Sequence, residues 1–497
     1  MSITAPNDRP GEPGALVQDV LDTPEAGPRA IRGAALRTGS YFTSALLAAV
    51  SAPLLARHLG VVRFGEYYAV ISLVALVSGL TEGGLGSIGM REYVVLSGDR
   101  RWRFMRNLLG MRLAFVGLGL AGGIAFAALV YPSLLVLGTV IAGASVLIAV
   151  AQTTLAVPLY SELVVGRQVL FELLSQVVMA GLVVLGVLAG AGLLPFLAIP
   201  VPAGLLLLVL TARMVRHRAP RRPSLELGRW WEIIRETYPV AASTAVQTLY
   251  LRSVILIMTL VASPAVWGIY AYSIRVMEVL VGVPLLLVST VFPVIARAVR
   301  DDRDRLAYVM RRTLQAGVIV GLGMTLCTMI GADLAMTILT GRHGGQAATV
   351  LRVQAPGLLL AFFSASWAGL LIALRRHGVL LLASAVAMVL TAGFTAVLVP
   401  DYGALGGGVA SLTGEVGLVV TMGVSLWRAG KLYLPLDRLP RVLLCAALAL
   451  AAALLAPVFD LARLTIFLGF YGAGLLLTRA IPVEIREAVR HRVWAAP

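Results

Sequence analysis

Residues 265–295 read AVWGIYAYSIRVMEVLVGVPLLLVSTVFPVI. The stretch holds two charged side chains, Arg275 and Glu278, and is otherwise apolar, aromatic or small. At about 1.5 Å per residue it is long enough, as a helix, to cross a hydrocarbon core of ~30 Å. In lipid every backbone amide must be satisfied within its own segment, so such a run is read as a helix. Alternation of lipid-facing and lumen-facing residues in segments of about ten, the mark of a membrane barrel, is absent.

Runs of the same kind recur on both sides of it. Upstream they cover residues 40–56, 67–88, 108–130, 133–157, 169–189, 193–212 and 238–261. Downstream they cover 313–334, 350–374, 379–399, 405–426, 442–458 and 461–477. Mean hydropathy is +0.89, and 13% of residues are charged, against about 25% in a soluble domain. A chain of 497 residues with so little charge cannot cover itself with a polar surface, so its apolar surplus faces lipid. The sequence predicts an all-α integral membrane protein of about fourteen transmembrane helices.

The net charge of +16 does not point to nucleic acid, because the basic residues lie between the apolar runs. Arg91, Arg100, Arg101, Arg103 and Arg106 fill one loop, and Arg213, Arg216, Arg218, Arg221, Arg222, Arg229 and Arg235 another. Arg297, Arg300, Arg303, Arg305, Arg311 and Arg312 follow on the same side, whereas the opposite loops hold little beyond Arg57, Arg63, Arg342 and Arg463. By the positive-inside rule both termini are cytoplasmic and the number of spans is even. Residues 1–33, rich in Pro, Gly and acidic side chains and lacking an apolar core, read as a disordered cytoplasmic tail rather than a signal peptide. The basic segment 216–236 divides a first lobe, 34–215, from a second, 237–430; residues 431–497 hold the last two spans and a tail. Trp230-Trp231 within the linker suits an interfacial amphipathic helix.

An internal repeat fixes the lobes. Phe64-Gly65-Glu66-Tyr67-Tyr68 opens the second span and Trp267-Gly268-Ile269-Tyr270 opens the eighth. An even number of spans separates the copies, so the expectation is two parallel six-helix lobes, related by an axis along the membrane normal, plus a C-terminal helix pair. Pro53 and Pro284 lie inside predicted spans, where a missing ladder hydrogen bond permits a bend.

Several segments resemble the polysaccharide flippases of the MOP superfamily, the Wzx-like PST family. They are Leu55-Ala56-Arg57-His58-Leu59-Gly60 with Phe64-Gly65-Glu66-Tyr67-Tyr68, Gly84-Leu85-Gly86 leading to Arg91-Glu92, Trp267-Gly268-Ile269-Tyr270 ending in Phe292-Pro293, and the most specific, Pro400-Asp401-Tyr402-Gly403-Ala404-Leu405-Gly406-Gly407-Gly408. The resemblance spans residues 40–430. It implies a two-lobed transporter in the bacterial inner membrane that moves undecaprenyl-diphosphate-linked oligosaccharide between leaflets for surface polysaccharide biosynthesis, with polymerase or glycosyltransferase partners. Where such relatives often carry an acidic residue in the seventh helix, this chain reads Leu249-Tyr250-Leu251-Arg252-Ser253.

Charged residues inside a membrane are costly and mark cavities or partners. Arg252, Arg275 and Glu415 fall about 15 Å from the nearer end of their spans, counted at ~1.5 Å per residue. Glu278 shares a helix face with Arg275. One reading is a cationic diphosphate site of Arg252 and Arg275, since guanidinium matches phosphate oxygens in bidentate fashion, with Glu278 and Glu415 as coupling residues. The other is a set of fixed ion pairs, Arg275 with Glu278 and Arg252 with Glu415. Glu82, Arg91 and Glu92 suggest a loop clamp, Arg37 a gate or an orienting charge, and Arg112, Glu162 and Glu172 snorkel at span ends.

The five histidines fall in loops or at helix ends, so a carboxylate would have to carry any coupled proton. Cys327 and Cys445 read as small apolar side chains. No phosphate-binding glycine loop with its lysine, metal-ligand spacing or catalytic triad is visible, so no enzyme activity, metal or cofactor is expected. The alternatives are a cation-coupled multidrug or small-solute exporter of the same superfamily, a flippase for the peptidoglycan precursor, a polysaccharide polymerase, and a membrane scaffold.

Overall fold

Helix α1 (Ala26–Glu82) is bent at Gly60, whose backbone (φ 70°, ψ 175°) leaves the helical region for one that side-chain-bearing residues rarely adopt. The helix runs on through Pro53, so glycine rather than proline makes this turn. The structure is a computed structural model and describes residues 26–161, 165–216, 223–301, 303–341, 345–431, 433, 438–456, 459–478 and 480. Among these there is no strand.

The first lobe continues with α2 (Leu85–Val95), α3 (Gly98–Val130), α4 (Ser133–Leu155), α5 (Val157–Ser161), α6 (Val165–Leu188), α7 (Leu193–Ala198) and α8 (Pro200–Met214). The second comprises α9 (Leu227–Val261), α10 (Pro264–Asp301), α11 (Arg303–Ile330), α12 (Ala332–Thr340), α13 (Gly345–Gln354), α14 (Pro356–Ala373), α15 (His377–Tyr402) and α16 (Ala404–Arg428). The pair α17 (Leu439–Leu455) and α18 (Asp460–Leu477) closes the chain and packs on α11, where the Tyr471 hydroxyl donates to the Ile319 carbonyl at 2.8 Å.

Among the described residues twelve helices are long and apolar enough to cross a membrane. The break of α1 at Gly60 and the shorter apolar α17 bring the total to about fourteen, as the sequence predicts. Some boundaries differ. The second span ends at Glu82 rather than residue 88, because Gly83 and Gly84, both at positive φ, turn the chain into α2. Pro284 does not interrupt the eighth span, since α10 is continuous through Pro284 and Pro293. Trp230 and Trp231 lie on the first turn of α9 itself, Trp230 buried against Phe115 at 6.2 Å and Trp231 exposed, and not in a separate interfacial helix.

The lobes meet where α1 crosses α9, α10 and α12. The two copies of the repeat lie at this crossing. A Cβ on Gly65 would sit 2.6 Å from the Pro264 carbonyl oxygen and 2.9 Å from the Gly268 Cα. A Cβ on Gly268 would overlap the Val61 carbonyl, with its carbon 2.7 Å away. Val61 and Pro264 are related by the same offset as the two glycines, so the contact is reciprocal. Close backbone approach through small residues is how helices associate in lipid, where no hydrophobic force drives them together. Beside it Phe64 stacks on Tyr272 at 4.8 Å, and the Tyr272 hydroxyl donates to the Ala56 carbonyl at 3.3 Å.

At the other end of the interface small side chains meet beside the Trp230–Phe115 contact. Gly79 lies against Thr248, and Gly83 against Ala241. The chain entering α9 is strapped to α3: Ser224 N–H donates to the Arg106 carbonyl at 3.0 Å, and Glu226 N–H to Asn107 Oδ1 at 3.1 Å. Within the second lobe, Gly406 faces the Leu398 carbonyl across the tight Gly403 turn between α15 and α16, so the glycine-rich motif is a packing device.

The crossing makes a direct prediction. Gly268→Ala drives a methyl into backbone that cannot give way and should destabilise the protein by about 1–3 kcal/mol. Gly228→Ala, which meets open space, should leave thermal unfolding in detergent unchanged. Equal melting curves for both variants would show that the lobes adjust at the crossing.

A candidate anion site at the lobe interface

Tyr250 and Arg252 are two positions apart on α9, and two helical positions are about 200° apart. Tyr250 therefore turns into the second lobe while Arg252 turns toward the first. Arg252 Nη1 donates to Glu278 Oε1 of α10 at 2.8 Å and lies 3.4 Å from the Tyr68 hydroxyl of α1. Tyr68 donates to the same carboxylate oxygen at 2.9 Å. Arg275, one turn before Glu278, reaches Oε2 at 3.2 Å. Two guanidiniums thus share one carboxylate, which leaves a net positive charge, and the phenol of the first lobe is bonded to the charged set of the second.

These side chains are not sealed. Arg252 is 27% exposed, Glu278 28% and Arg275 37%. Only Nη1 of each arginine is engaged among the described residues, so the remaining N–H groups are available to an anion. Along their helices Arg252 lies ~14 Å from Val261 and Arg275 ~16 Å from Pro264. The repeat partner of Arg275, Ser72, is fully buried, so the positive charge belongs to the second lobe and the first contributes a phenol.

Glu415 of α16 lies elsewhere. Tyr250 donates to its Oε2 at 2.7 Å and Ser364 to its Oε1 at 2.9 Å, and among the described residues it has no cationic partner. The alternative pairing of Arg252 with Glu415 does not occur, because the α9 register sends Tyr250 to Glu415 and Arg252 to Glu278.

A second charged set occupies the Glu82 end of the first lobe. Arg112 of α3 is 1% exposed and donates through Nη2 to Glu82 Oε2 at 2.7 Å and to Thr153 at 3.3 Å. It does not snorkel as the sequence suggests: α3 begins at Gly98, and the neighbouring helices cover the side chain. Its Nε and Nη1 have no hydrogen-bond partner among the described residues. Arg91 and Glu92 are on α2, bonded to each other at 2.9 Å, and not clamped to Glu82. Glu172 accepts from Tyr160 at 2.6 Å and Gln168 at 3.2 Å. Arg37 lies in α1, but its side chain, like Glu162, falls outside the described residues.

Sequence reasoning passed over Tyr68, Tyr250 and Ser364. A tyrosine in an apolar run reads as an apolar residue until the burial of its hydroxyl against a carboxylate is known. The available signal was the α9 register, which sets Tyr250 and Arg252 on opposite faces.

A two-lobed helical bundle with charge at mid-depth of the lobe interface defines a multi-pass membrane transporter. The sequence profile described as "Polysaccharide biosynthesis protein" matches residues 30–299, and the chain belongs to that family, within the MOP superfamily. No curated protein sequence matches. Among solved structures the fold is similar to "Lipid II flippase MurJ, inward closed conformation", with a TM-score of 0.74 at 13% identity, covering 89% of this chain and 99% of that one. It is also similar to a multidrug resistance MATE family transporter of the MOP superfamily in its inward-facing conformation, TM-score 0.58, 15% identity, covering 80% and 95%. A MOP superfamily transporter from Pyrococcus furiosus, described by a reversed polarity of its binding pocket, gives 0.54 at 15% identity, covering 82% and 95%.

The Glu82–Arg112 pair is unequal, since Glu82 is 44% exposed and Arg112 is sealed. Removing the carboxylate strands a buried cation, so Glu82→Ala should destabilise by about 3–5 kcal/mol. Arg112→Met, leaving a carboxylate that water can reach, should cost less, and the double variant should recover most of the loss of Glu82→Ala. Thermal unfolding of the three variants in detergent checks the order. A larger loss for Arg112→Met would mean that the packing of its stem dominates.

Proposed function

We propose that this protein is a flippase for polyprenyl-diphosphate-linked oligosaccharide that works by alternating access. The observation that carries the reading is the cross-lobe cluster of Tyr68, Arg252, Arg275 and Glu278. Its excess charge is positive and permanent, because guanidinium does not titrate in a protein. It lies where a headgroup crossing the membrane would be midway. An anionic diphosphate offers several oxygens in the geometry that arginine matches. A cationic drug would meet repulsion.

In this reading the membrane is the bacterial cytoplasmic membrane, and the Glu82 end, with its basic loops, faces the cytoplasm, in accord with the positive-inside rule. Glu278 holds the two arginines in place while the site is empty, and an incoming diphosphate competes with it for their N–H groups. Because Tyr68 is bonded to Glu278 and near Arg252, displacing that carboxylate loosens a tie between the lobes. Binding is thereby linked to lobe movement: the ligand bonds better to the state in which the tie is open. The lipid tail stays in the bilayer, and the glycan passes with the headgroup. Enzymes that build or polymerise the glycan are the expected partners on the two sides. Glu415, held by two hydroxyls without a cation, is the candidate for ion coupling.

The test is flipping of a fluorescent undecaprenyl-diphosphate oligosaccharide in proteoliposomes. Arg252→Ala and Arg275→Ala should each lower the rate tenfold or more, on the scale of about 1.5–3 kcal/mol for a lost hydrogen bond to a charged group, while melting as wild type does. Wild-type rates in both variants would remove the cluster from transport. A wild-type protein that flips the peptidoglycan precursor and not the oligosaccharide would keep the diphosphate site and change the glycan. Failure with either lipid under an imposed ion gradient would favour an exporter.

A further inference from the structure

We propose that Arg57 is the latch of the outer gate, a residue that sets how readily the lobes part on the side away from the cytoplasm. This rests on the alternating-access reading above. Arg57 lies three residues before the Gly60 bend of α1, in the first lobe. Its Nη2 donates to the Ile338 carbonyl at 2.7 Å and to the Thr337 carbonyl at 3.3 Å. Both belong to the last turn of α12 in the second lobe, which ends at Thr340 where Gly341 takes a positive φ.

The chemistry of that helix end explains the bond. The last carbonyls of a helix lack intrahelical donors and carry the negative end of the helix dipole. The Thr337 carbonyl already accepts from Gly341 N–H at 2.9 Å, and the Ile338 carbonyl takes the shorter bond from Arg57 and, among the described residues, has no other acceptor bond outside the regular helix ladder. A guanidinium is suited to hold two adjacent carbonyls at once. The bond is charge-assisted and joins elements 280 residues apart in sequence.

Arg57 also stands out by position. Among the described residues the lobes also meet at this end through a reciprocal glycine crossing, the Phe64–Tyr272 stack, the Tyr131–Trp267 ring contact at 6.4 Å and a hydroxyl bond from Tyr272 to Ala56. All are short-range, and none has a formal charge. At the Glu82 end the contacts of Gly79 with Thr248, Gly83 with Ala241 and Phe115 with Trp230 have none either. Among the described residues one arginine therefore supplies the charged hydrogen bonds across the Gly60 end of the interface. Its target is backbone, so no sequence change in α12 needs to preserve it. Opening on this side must break both bonds and return a cation and a helix end to water. The latch biases the resting protein toward a closed outer side, and substrate binding at Tyr68, three turns further along α1, works against it.

The experiment measures lobe separation independently of any substrate. Spin labels are placed at Ser133→Cys and Gln346→Cys, both exposed at the Gly60 end and one on each lobe, with Cys327→Ala and Cys445→Ala as background. Wild type should give a single short distance. Arg57→Ala should add a longer component, with the open-to-closed ratio raised about tenfold, on the scale of one charge-assisted hydrogen bond. Arg57→Lys, which keeps the cation at the helix end, should restore most of the short distance. Unchanged distances in Arg57→Ala would overturn the proposal. Arg57→Lys with the same spin labels serves where Arg57→Ala does not fold, and a short bifunctional thiol reagent joining Arg57→Cys to Ile338→Cys gives a second test. It should stop transport reversibly when the linker is cleavable, and continued transport with the link in place would equally overturn the latch. A change in distances with no flipping of any diphosphate lipid keeps the latch and rejects the substrate assignment.

Discussion

The close crossing of Gly65 and Gly268 is the constraint around which the rest is arranged. Two bundles of apolar helices have no reason to associate in lipid, because hydrocarbon solvates leucine as well as another helix does. What holds them is packing at short range, and backbones come this close only where both lack a Cβ. The repeat places a glycine at the same position in each lobe, so equivalent positions supply both halves of the contact. Once that point is fixed, the helices diverge from it, and Tyr68, one turn beyond Gly65, is carried to the carboxylate of α10.

The charged groups then follow a single rule, that an ion within the bilayer depth needs partners. Three solutions appear. Arg112 is sealed and bound to a half-exposed Glu82, so its charge is neutralised locally. Glu415 is given two hydroxyls and no cation. Arg252 and Arg275 are given one carboxylate between them, which leaves them held in place but not neutralised. Only the last arrangement has both an excess of charge and exposure, and it alone lies across the boundary between lobes. A structural ion pair needs neither property.

The class of fold was legible because burial in lipid imposes its signature along the whole chain: length of apolar runs, glycine at crossings, arginine on one side. The repeat was legible because aromatic-Gly-x-Tyr occurs at equivalent topological points. Arg252, Arg275 and Glu278 were readable as a group, since a charge in such a run is conspicuous and two of them share a helix face. The hydroxyls were not, because tyrosine and serine occur in apolar helices for many reasons and only the fold shows which meet a carboxylate. Nor was the role of Arg57, whose partner is a helix end: a carbonyl has no identity in sequence. Arg112 was misread because the apolar run began ten residues inside the helix, and a side chain at the edge of hydropathy can be at the centre of packing.

The interface is closed at both ends but not in the same way. Its Gly60 end combines backbone contact, stacked rings, a hydroxyl bond and a guanidinium on two carbonyls. Its Glu82 end has contacts of small side chains and the buried Trp230 ring of α9 packed on Phe115 of α3, with the chain entering α9 strapped to α3. Hydrogen bonds to charged groups are worth about 1.5–3 kcal/mol each, and a pair of methyl contacts far less. Among the described residues the charge-assisted hydrogen bonds across the interface's two ends lie at the Gly60 end. In the reading proposed above, a headgroup entering from the side of the basic loops has to break the Arg57 bonds to leave on the other side.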